Sequence, residues 1–214
     1  MTSGPFATCA ARPGIGLGEL VLALAAEFGP ADFIGVSYEL EALSLQLRGV
    51  EDLGPIDQLE ALGALMTAFR PVTDPLRRRP LMLDAVLRDR AGDPAVLAVV
   101  ATDVARRAGL DVAIAGDGNG NGHVVAHRRG TRPFVLALDA PGARMMVVRE
   151  RSMGWCCPHQ TVSFLIGELL ERARRVGDAS AAIHAAELRL ALPLRGSARM
   201  AMRAELAAAR AVLN

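Results

Sequence analysis

The chain has 214 residues, of which 51% are hydrophobic but only 4% aromatic, and its formal net charge is +1. A chain of this length can bury a sizeable core. Because aromatics are scarce, Leu, Ala and Val must fill that core, which favours packed helices over a β-sandwich. The small net charge excludes long-range attraction of nucleic acid or an anionic membrane. Every basic residue is Arg, so a Schiff-base lysine is excluded as well.

The sequence contains no apolar run of membrane-spanning length and no basic N-terminal region ahead of an apolar stretch. Its three cysteines, two of them adjacent, make a poor disulfide framework and fit a reducing compartment. We therefore expect a cytoplasmic protein with no nucleic-acid partner and no membrane partner.

The first third of the chain predicts a helical lobe behind a flexible lead-in. Residues 1–17 are rich in Gly, Pro and small side chains and predict the lead-in. Three segments then share the apolar periodicity of amphipathic helices and are separated by Gly-Pro pairs: 19–28, 31–47 and 56–69.

A Pro- and Arg-rich connector over 70–80 precedes two further predicted helices, 81–88 and 94–108. The second helix has Pro94 at its first position and Asp93 as its N-cap. Short β-prone runs follow and predict an antiparallel sheet against that helix: 111–115, 123–127, 134–138 and 144–148.

The last part of the chain predicts three helices, 159–176, 178–192 and 197–213. Stacked helical hairpins of this length are similar to tetratricopeptide packing, but they are too few to fold alone, so we expect this tail to dock on the core. The Arg run from Arg172 to Arg175 is interpreted as a solvated helix face.

The order of these elements resembles the SirB-like branch of the transglutaminase-like superfamily. The motifs that carry the resemblance are the apolar lead-in helix from Leu20, Gly92-Asp93-Pro94 before a helix, Gly122-His123, Val135 to Asp139, and the tail with Gly177-Asp178. The resemblance implies an α+β, mostly helical fold: a transglutaminase-like (papain-like) core with a small antiparallel sheet, an N-terminal helical lobe and C-terminal helical hairpins. It divides the chain into lobe plus core at 18–150 and a tetratricopeptide-like tail at 151–214.

The resemblance also implies where the active-site residues lie. In thiol members of the superfamily a cysteine begins the helix, where the helix dipole favours the thiolate. Here that position is Pro94, as it often is in the SirB-like branch, so thiol transglutaminase or protease activity is not expected. His123 and Asp139 are the candidate general base and its orienting carboxylate.

A ligand-binding cleft is predicted around the same residues. Asp93 and Pro94 lie at its mouth, and Asp117, Asn119 and Asn121 belong to a Gly/Asn-rich loop that is interpreted as a lid. Cys156 and Cys157, next to His159, are alternative nucleophiles, although buried thiols are more often core residues.

No cofactor and no metal are predicted. His123 and His127 would lie about 13 Å apart on a strand, too far for one ion. The loop from Asp117 resembles half of an EF-hand, but Arg128 stands where the bidentate Glu is needed.

Two main functions remain open from the sequence. The first is a transglutaminase-like pseudoenzyme that binds a peptide or small metabolite in the vestigial cleft, or acts as an interaction module with a protein partner on its helical tail. The alternative is a biosynthetic small-molecule enzyme that uses His123 and Asp139 for general acid-base proton transfer. A thiol enzyme with a relocated cysteine is the third hypothesis.

Overall fold

The computed structural model describes residues 4–117, 123–129, 134–147, 153–193 and 196–211. Those residues are mostly helical, with a small antiparallel sheet. Their helices are α1 (Pro5–Ala10), α2 (Leu17–Ala26), α3 (Phe33–Ser44), α4 (Pro55–Met66), α5 (Leu83–Asp89), α6 (Pro94–Arg107), α7 (Pro158–Arg175), α8 (Ala179–Ala191) and α9 (Ser197–Ala211). Short 3-10 turns cover Leu45–Leu47 and Arg79–Leu81. The predicted helices are therefore present, with ends that differ from the expected ones by a few residues.

The described strands are β1 (Arg70–Pro71), β2 (Ala91–Gly92), β3 (Val112–Asp117), β4 (His123–His127), β5 (Phe134–Ala137), β6 (Arg144–Val147) and β7 (Met153–Trp155). Among the described residues, five of them form an antiparallel sheet in the order β6-β5-β4-β3-β7. The pair β1 and β2 runs parallel and is separate from that sheet. Strands β1, β2 and β7 were not predicted, because two or three residues are too few to show a periodicity.

Two helices form the centre of the molecule. Every residue of α2 from Leu20 to Ala25 is buried, and α6 is buried from Ala95 to Thr102. Helix α6 packs on β3 and β4, whereas α2 packs on α5, α6 and α7. A helix that is apolar on all sides belongs inside a protein. The core therefore lies between the sheet and the surrounding helices, with α6 next to the sheet.

The N-terminal segment differs from the predicted flexible lead-in. Pro5 begins α1, and the Phe6 side chain is fully buried. The Phe6 backbone N–H donates a hydrogen bond to Glu27 Oε1 at 3.0 Å. The flexible lead-in was predicted from the abundance of Gly and Pro over 1–17. The burial of Phe6 holds this segment on the core.

The C-terminal helices pack on the N-terminal ones. Helix α7 contacts α2, and α8 contacts α1 and α7. The His159 ring Nε2 lies 2.9 Å from the Ala10 carbonyl oxygen, and the His184 ring Nε2 lies 3.2 Å from that of Glu27. The expected docking of the tail is thus present in the structure. None of the helices within the described ranges combines the length and the apolar character that crossing a bilayer requires.

Candidate functional site

The start of α6 is occupied by a buried carboxylate. Asp93 is the N-cap residue, and its Oδ1 accepts the Ala95 N–H at 3.0 Å. Pro94 is the first helical residue and is half-buried. The Asp93 N–H donates to the Pro80 carbonyl oxygen at 2.9 Å, so the backbone here is fixed on both sides. Asp93 and Pro94 thus take the cap and first-turn positions predicted for them.

The second oxygen of Asp93 binds an arginine from α7. Arg172 Nη2 lies 2.6 Å from Asp93 Oδ2, and the side chains are only 4% and 13% exposed. Arg172 Nη1 also donates to the Arg77 carbonyl oxygen at 3.0 Å. The pair therefore joins the tail, the start of α6 and the connector before α5.

The interpretation of Arg172 as a solvated residue was wrong. The side chain is buried, while its neighbours Arg174 and Arg175 are more exposed. Arg172 lies three residues after Leu169 and seven after Leu165, both of which are buried. This helical spacing places it on the apolar face of α7. The spacing was therefore the signal that could have identified it.

The chain reversal after α6 returns β3 toward the start of that helix. Gly109 has φ +82°, and the Leu110 N–H donates to the Ala105 carbonyl oxygen, which closes the helix. The 14 residues of α6 and the six of β3 both span about 20 Å. Gly116 of β3 pairs with His123 of β4. His123 therefore belongs to the end of the sheet that is level with the start of α6.

His123 is half-buried against the tail. Its ring centroid lies 4.3 Å from the Phe164 ring on α7, at an interplanar angle of 46°. Helix α7 therefore contributes one residue beside His123 and another, Arg172, beside Asp93. These two residues of α7 are eight positions apart, which is about 12 Å along the helix axis.

Asp139 lies in the turn after β5 and is exposed. Its Oδ1 is 3.5 Å from Arg144 Nη2, and the two side chains are 62% and 58% exposed. In the β4–β5 ladder Val125 faces Leu136. Continued past the ladder, this register sets Leu138 opposite His123. The pairing of His123 with Asp139 stays a prediction.

The predicted lid lies mostly outside the described residues. Asp117 is the last residue of β3 and faces Met153 of β7 in the sheet register. Asn119 and Asn121 fall outside the described ranges. Their predicted role in binding is therefore not tested.

The two adjacent thiols lie at the start of α7, away from the start of α6. Cys157 is its N-cap residue and is exposed, and its N–H donates to Gln160 Oε1 at 2.9 Å. Cys156 is half-buried, and this burial raises the pKa of its thiol, with a further contribution from Cys157. A raised pKa disfavours the reactive thiolate of Cys156. Within the described part of the chain, no three His, Cys, Asp or Glu residues cluster as metal ligands would.

Comparison with known families supports the transglutaminase-like part of the interpretation. Residues 35–116 match the model of the transglutaminase-like superfamily. The match covers less than half of the chain and runs from α3 to the penultimate residue of β3, so it includes Asp93 and Pro94. Neither the curated proteins nor the solved structures contain a significant match to the chain. The chain thus carries a transglutaminase-like segment over 35–116.

Proposed function

We propose that this chain is a cytoplasmic protein of the SirB-like branch that lacks the thiol and binds a peptide or small metabolite in the cleft beside the start of α6. Its tetratricopeptide-like tail forms one wall of that cleft and offers a surface for a protein partner. One observation carries the proposal: the buried Asp93–Arg172 pair directly precedes Pro94, the position that the family resemblance assigns to the nucleophile.

The chemistry of the helix start supports binding over thiol catalysis. A nucleophilic cysteine depends on free N–H groups and on the helix dipole to stabilise its thiolate. Pro94 has no N–H, and the Ala95 N–H is donated to Asp93. The Asp93 carboxylate, neutralised by Arg172, already caps the helix start that a thiolate would use.

The rival function is proton transfer by His123 with Asp139 on a small-molecule substrate. It is favoured by the location of His123 at the end of the sheet level with the start of α6. This function requires the Asp139 carboxylate to reach the imidazole. In the structure that carboxylate is exposed and lies 3.5 Å from Arg144 Nη2.

The test uses a glutamine-containing dipeptide, the acyl-donor class that thiol transglutaminases use. The ring resonances of His123 are followed by NMR during a titration of native and iodoacetamide-treated protein. We expect both proteins to show the same saturable shifts and neither to release ammonia from the dipeptide. Ammonia release that alkylation abolishes would contradict the proposal and favour a thiol enzyme. Absence of any shift would also contradict it.

Two variants separate binding from proton transfer. For a binding protein, His123→Ala and Asp139→Asn should leave the affinity for the dipeptide within a few-fold, as read from the Phe164 resonances. For a proton-transfer enzyme, either variant should abolish conversion of the peptide or metabolite. Cys157→Ser is the matched control, because its exposed side chain is also polar and lies outside the start of α6.

A further inference from the structure

Helix α3 exposes large apolar side chains in a row. Ile34 and Tyr38 are 73% and 75% exposed, and Leu45, which directly follows the helix, is 45% exposed. The opposite face of α3 is buried through Val36, Leu40 and Leu43. A helix that is apolar on both faces is normally covered on both. The outer face of α3 therefore lacks a partner among the residues that the structure describes.

This apolar region is the largest such concentration among the described residues. Over all described residues, twelve large hydrophobic side chains are exposed. Six of them lie within residues 33–56: Phe33, Ile34, Tyr38, Leu45, Leu53 and Ile56. Scattered exposed apolar residues are normal, but a contiguous group marks an interaction surface. We call the row of Ile34, Ser37, Tyr38, Glu41, Ala42 and Leu45 the α3 seam.

The seam has the spacing of a coiled-coil interface. Ile34, Tyr38, Glu41 and Leu45 follow each other at intervals of four, three and four residues. Such intervals keep the side chains on one face of a helix and are the ones that pack against a second helix. Leu45 has αR backbone angles, so it continues the helical spacing.

We propose that the α3 seam binds a second copy of this chain, with the two α3 helices antiparallel about a two-fold axis. A two-fold axis midway between Glu39 and Leu40 brings Ile34 level with the partner's Leu45. The same axis brings Tyr38 level with the partner's Glu41, and Ser37 level with the partner's Ala42. An isologous interface requires this kind of self-complementarity.

Each of these pairs matches in chemistry. Ile34 and Leu45 are both apolar, and Ser37 and Ala42 are both small, so the helix backbones can approach each other. The Tyr38 hydroxyl can donate a hydrogen bond to the Glu41 carboxylate, an interaction that occurs twice in the dimer. Arg107 Nη1 lies 3.6 Å from Glu41 Oε2, on the same chain.

The same carboxylate argues against other occupants. Glu41 is 57% exposed in the middle of the seam, which opposes contact with an anionic bilayer. The seam alone is smaller than the roughly 800 Å² per partner of a standard interface. Contacts outside the seam must add to it, so we expect a dimer of moderate affinity.

The first test is sedimentation equilibrium of the full chain over roughly 1 µM to 1 mM, which covers moderate and weak Kd values. We expect a monomer–dimer equilibrium in the wild type and a monomer for Tyr38→Glu. Tyr38→Phe removes both hydrogen bonds and should raise the Kd about tenfold or more. Met200→Glu is the matched control, since Met200 is a helical residue with 67% exposure, and it should leave the Kd unchanged.

Cross-linking tests the register on a background in which Cys9, Cys156 and Cys157 are replaced by Ala, Ala and Ser. We expect a disulfide in a mixture of Ile34→Cys and Leu45→Cys chains. Neither variant alone should cross-link, because identical positions would be about 16 Å apart along the axis, beyond the reach of a disulfide. Circular dichroism of each variant confirms that it is folded.

Three outcomes would overturn the dimer. A wild-type chain that stays monomeric at every concentration excludes it, and cosedimentation with phosphatidylglycerol vesicles would then assign the seam to a membrane surface. A chain that stays monomeric and does not bind vesicles would indicate that the α3 seam binds a different protein. A dimer that is weakened equally by Tyr38→Glu and Met200→Glu would place the interface elsewhere. A disulfide between two Ile34→Cys chains or two Leu45→Cys chains would show a different register.

Discussion

Two aspartate–arginine pairs that include candidate site residues show opposite physical characters. Asp93 and Arg172 lie 2.6 Å apart with side chains 13% and 4% exposed. Asp139 and Arg144 lie 3.5 Å apart with side chains 62% and 58% exposed. The sequence resemblance gave the catalytic role to Asp139 and a cap to Asp93. The structure places the stronger electrostatic contact at Asp93, because low solvent exposure strengthens the interaction between charges.

The comparison also shows how the tail is connected to the core. The Asp93–Arg172 pair joins residues that are 79 positions apart in the chain, whereas Asp139 and Arg144 are five apart. The first pair forms only when α7 packs on the core, and the second can form within one turn. The tail therefore stabilises the start of α6. The largest losses of unfolding free energy are expected for substitutions that break the contact between the two.

Arg172→Met should have the largest effect. It leaves the Asp93 carboxylate buried without its cation, which typically costs about 3–5 kcal/mol. The free energy of unfolding, from urea denaturation followed by circular dichroism, measures the loss. A change below about 1 kcal/mol would show that water reaches Asp93 and that the pair is not effectively buried.

The double variant Asp93→Asn with Arg172→Met provides the control. Asn keeps the cap oxygen for Ala95 and removes the charge, so the double variant should be more stable than Arg172→Met alone. The coupling energy from the complete mutant cycle should exceed about 1 kcal/mol for residues in direct contact. Additive effects would mean that Arg172 acts through packing.

Gly92→Ala tests how closely the backbone just before Asp93 packs against its neighbours. A Cβ at Gly92 would lie 2.5 Å and 2.7 Å from the two γ-carbons of Val86. Overpacking of this kind typically costs about 1–3 kcal/mol. The same denaturation experiment measures it, with Gly29→Ala as the control, because nothing lies within 4 Å of a Cβ there. Equal effects of both substitutions would refute close packing at Gly92.

A third polar contact is buried but involves no ion pair. His127 Nε2 lies 2.9 Å from Gln58 Oε1, and His127 Nδ1 accepts the Arg129 N–H at 3.1 Å. Gln58 Nε2 donates to the carbonyl oxygens of Glu51 and Leu53, which sets the direction of the amide. His127 must therefore be neutral with its proton on Nε2.

This contact predicts a pH-dependent stability. Burial lowers the pKa of His127 below its ordinary value of 6.5, and Arg129 also lowers it while Asp111 opposes the shift. The unfolded chain therefore binds more protons below that pH, and the free energy of unfolding should fall as pH drops from about 7 toward the folded pKa. His127→Gln should flatten this dependence in urea titrations at several pH values. An identical slope in both proteins would contradict the assignment, since the other histidines are common to both.

The sequence-based predictions agree with the structure where a local pattern determines the element. Helix α6 begins at Pro94 as predicted, because a cap residue and a helix-starting proline are adjacent in the chain. Arg172 could not be paired with Asp93 from the sequence, because their contact depends on how α7 packs. Phe6 and β7 were missed since one aromatic residue or three strand residues form no periodic pattern.

Asp139→Asn should have the smallest effect on stability. Exposed ion pairs contribute about 0–1 kcal/mol, so the change in unfolding free energy should be at the lower end of that range. Arg144→Gln is its matched partner and should give an equal result, because each variant removes one charge of the same pair. The His123 ring resonances distinguish the two hypotheses for Asp139. If Asp139 orients the imidazole, only Asp139→Asn will move them, and if it only pairs with Arg144, neither variant will. A loss of several kcal/mol in Asp139→Asn would mean that the carboxylate is buried in solution, and the contrast with Asp93 would no longer hold.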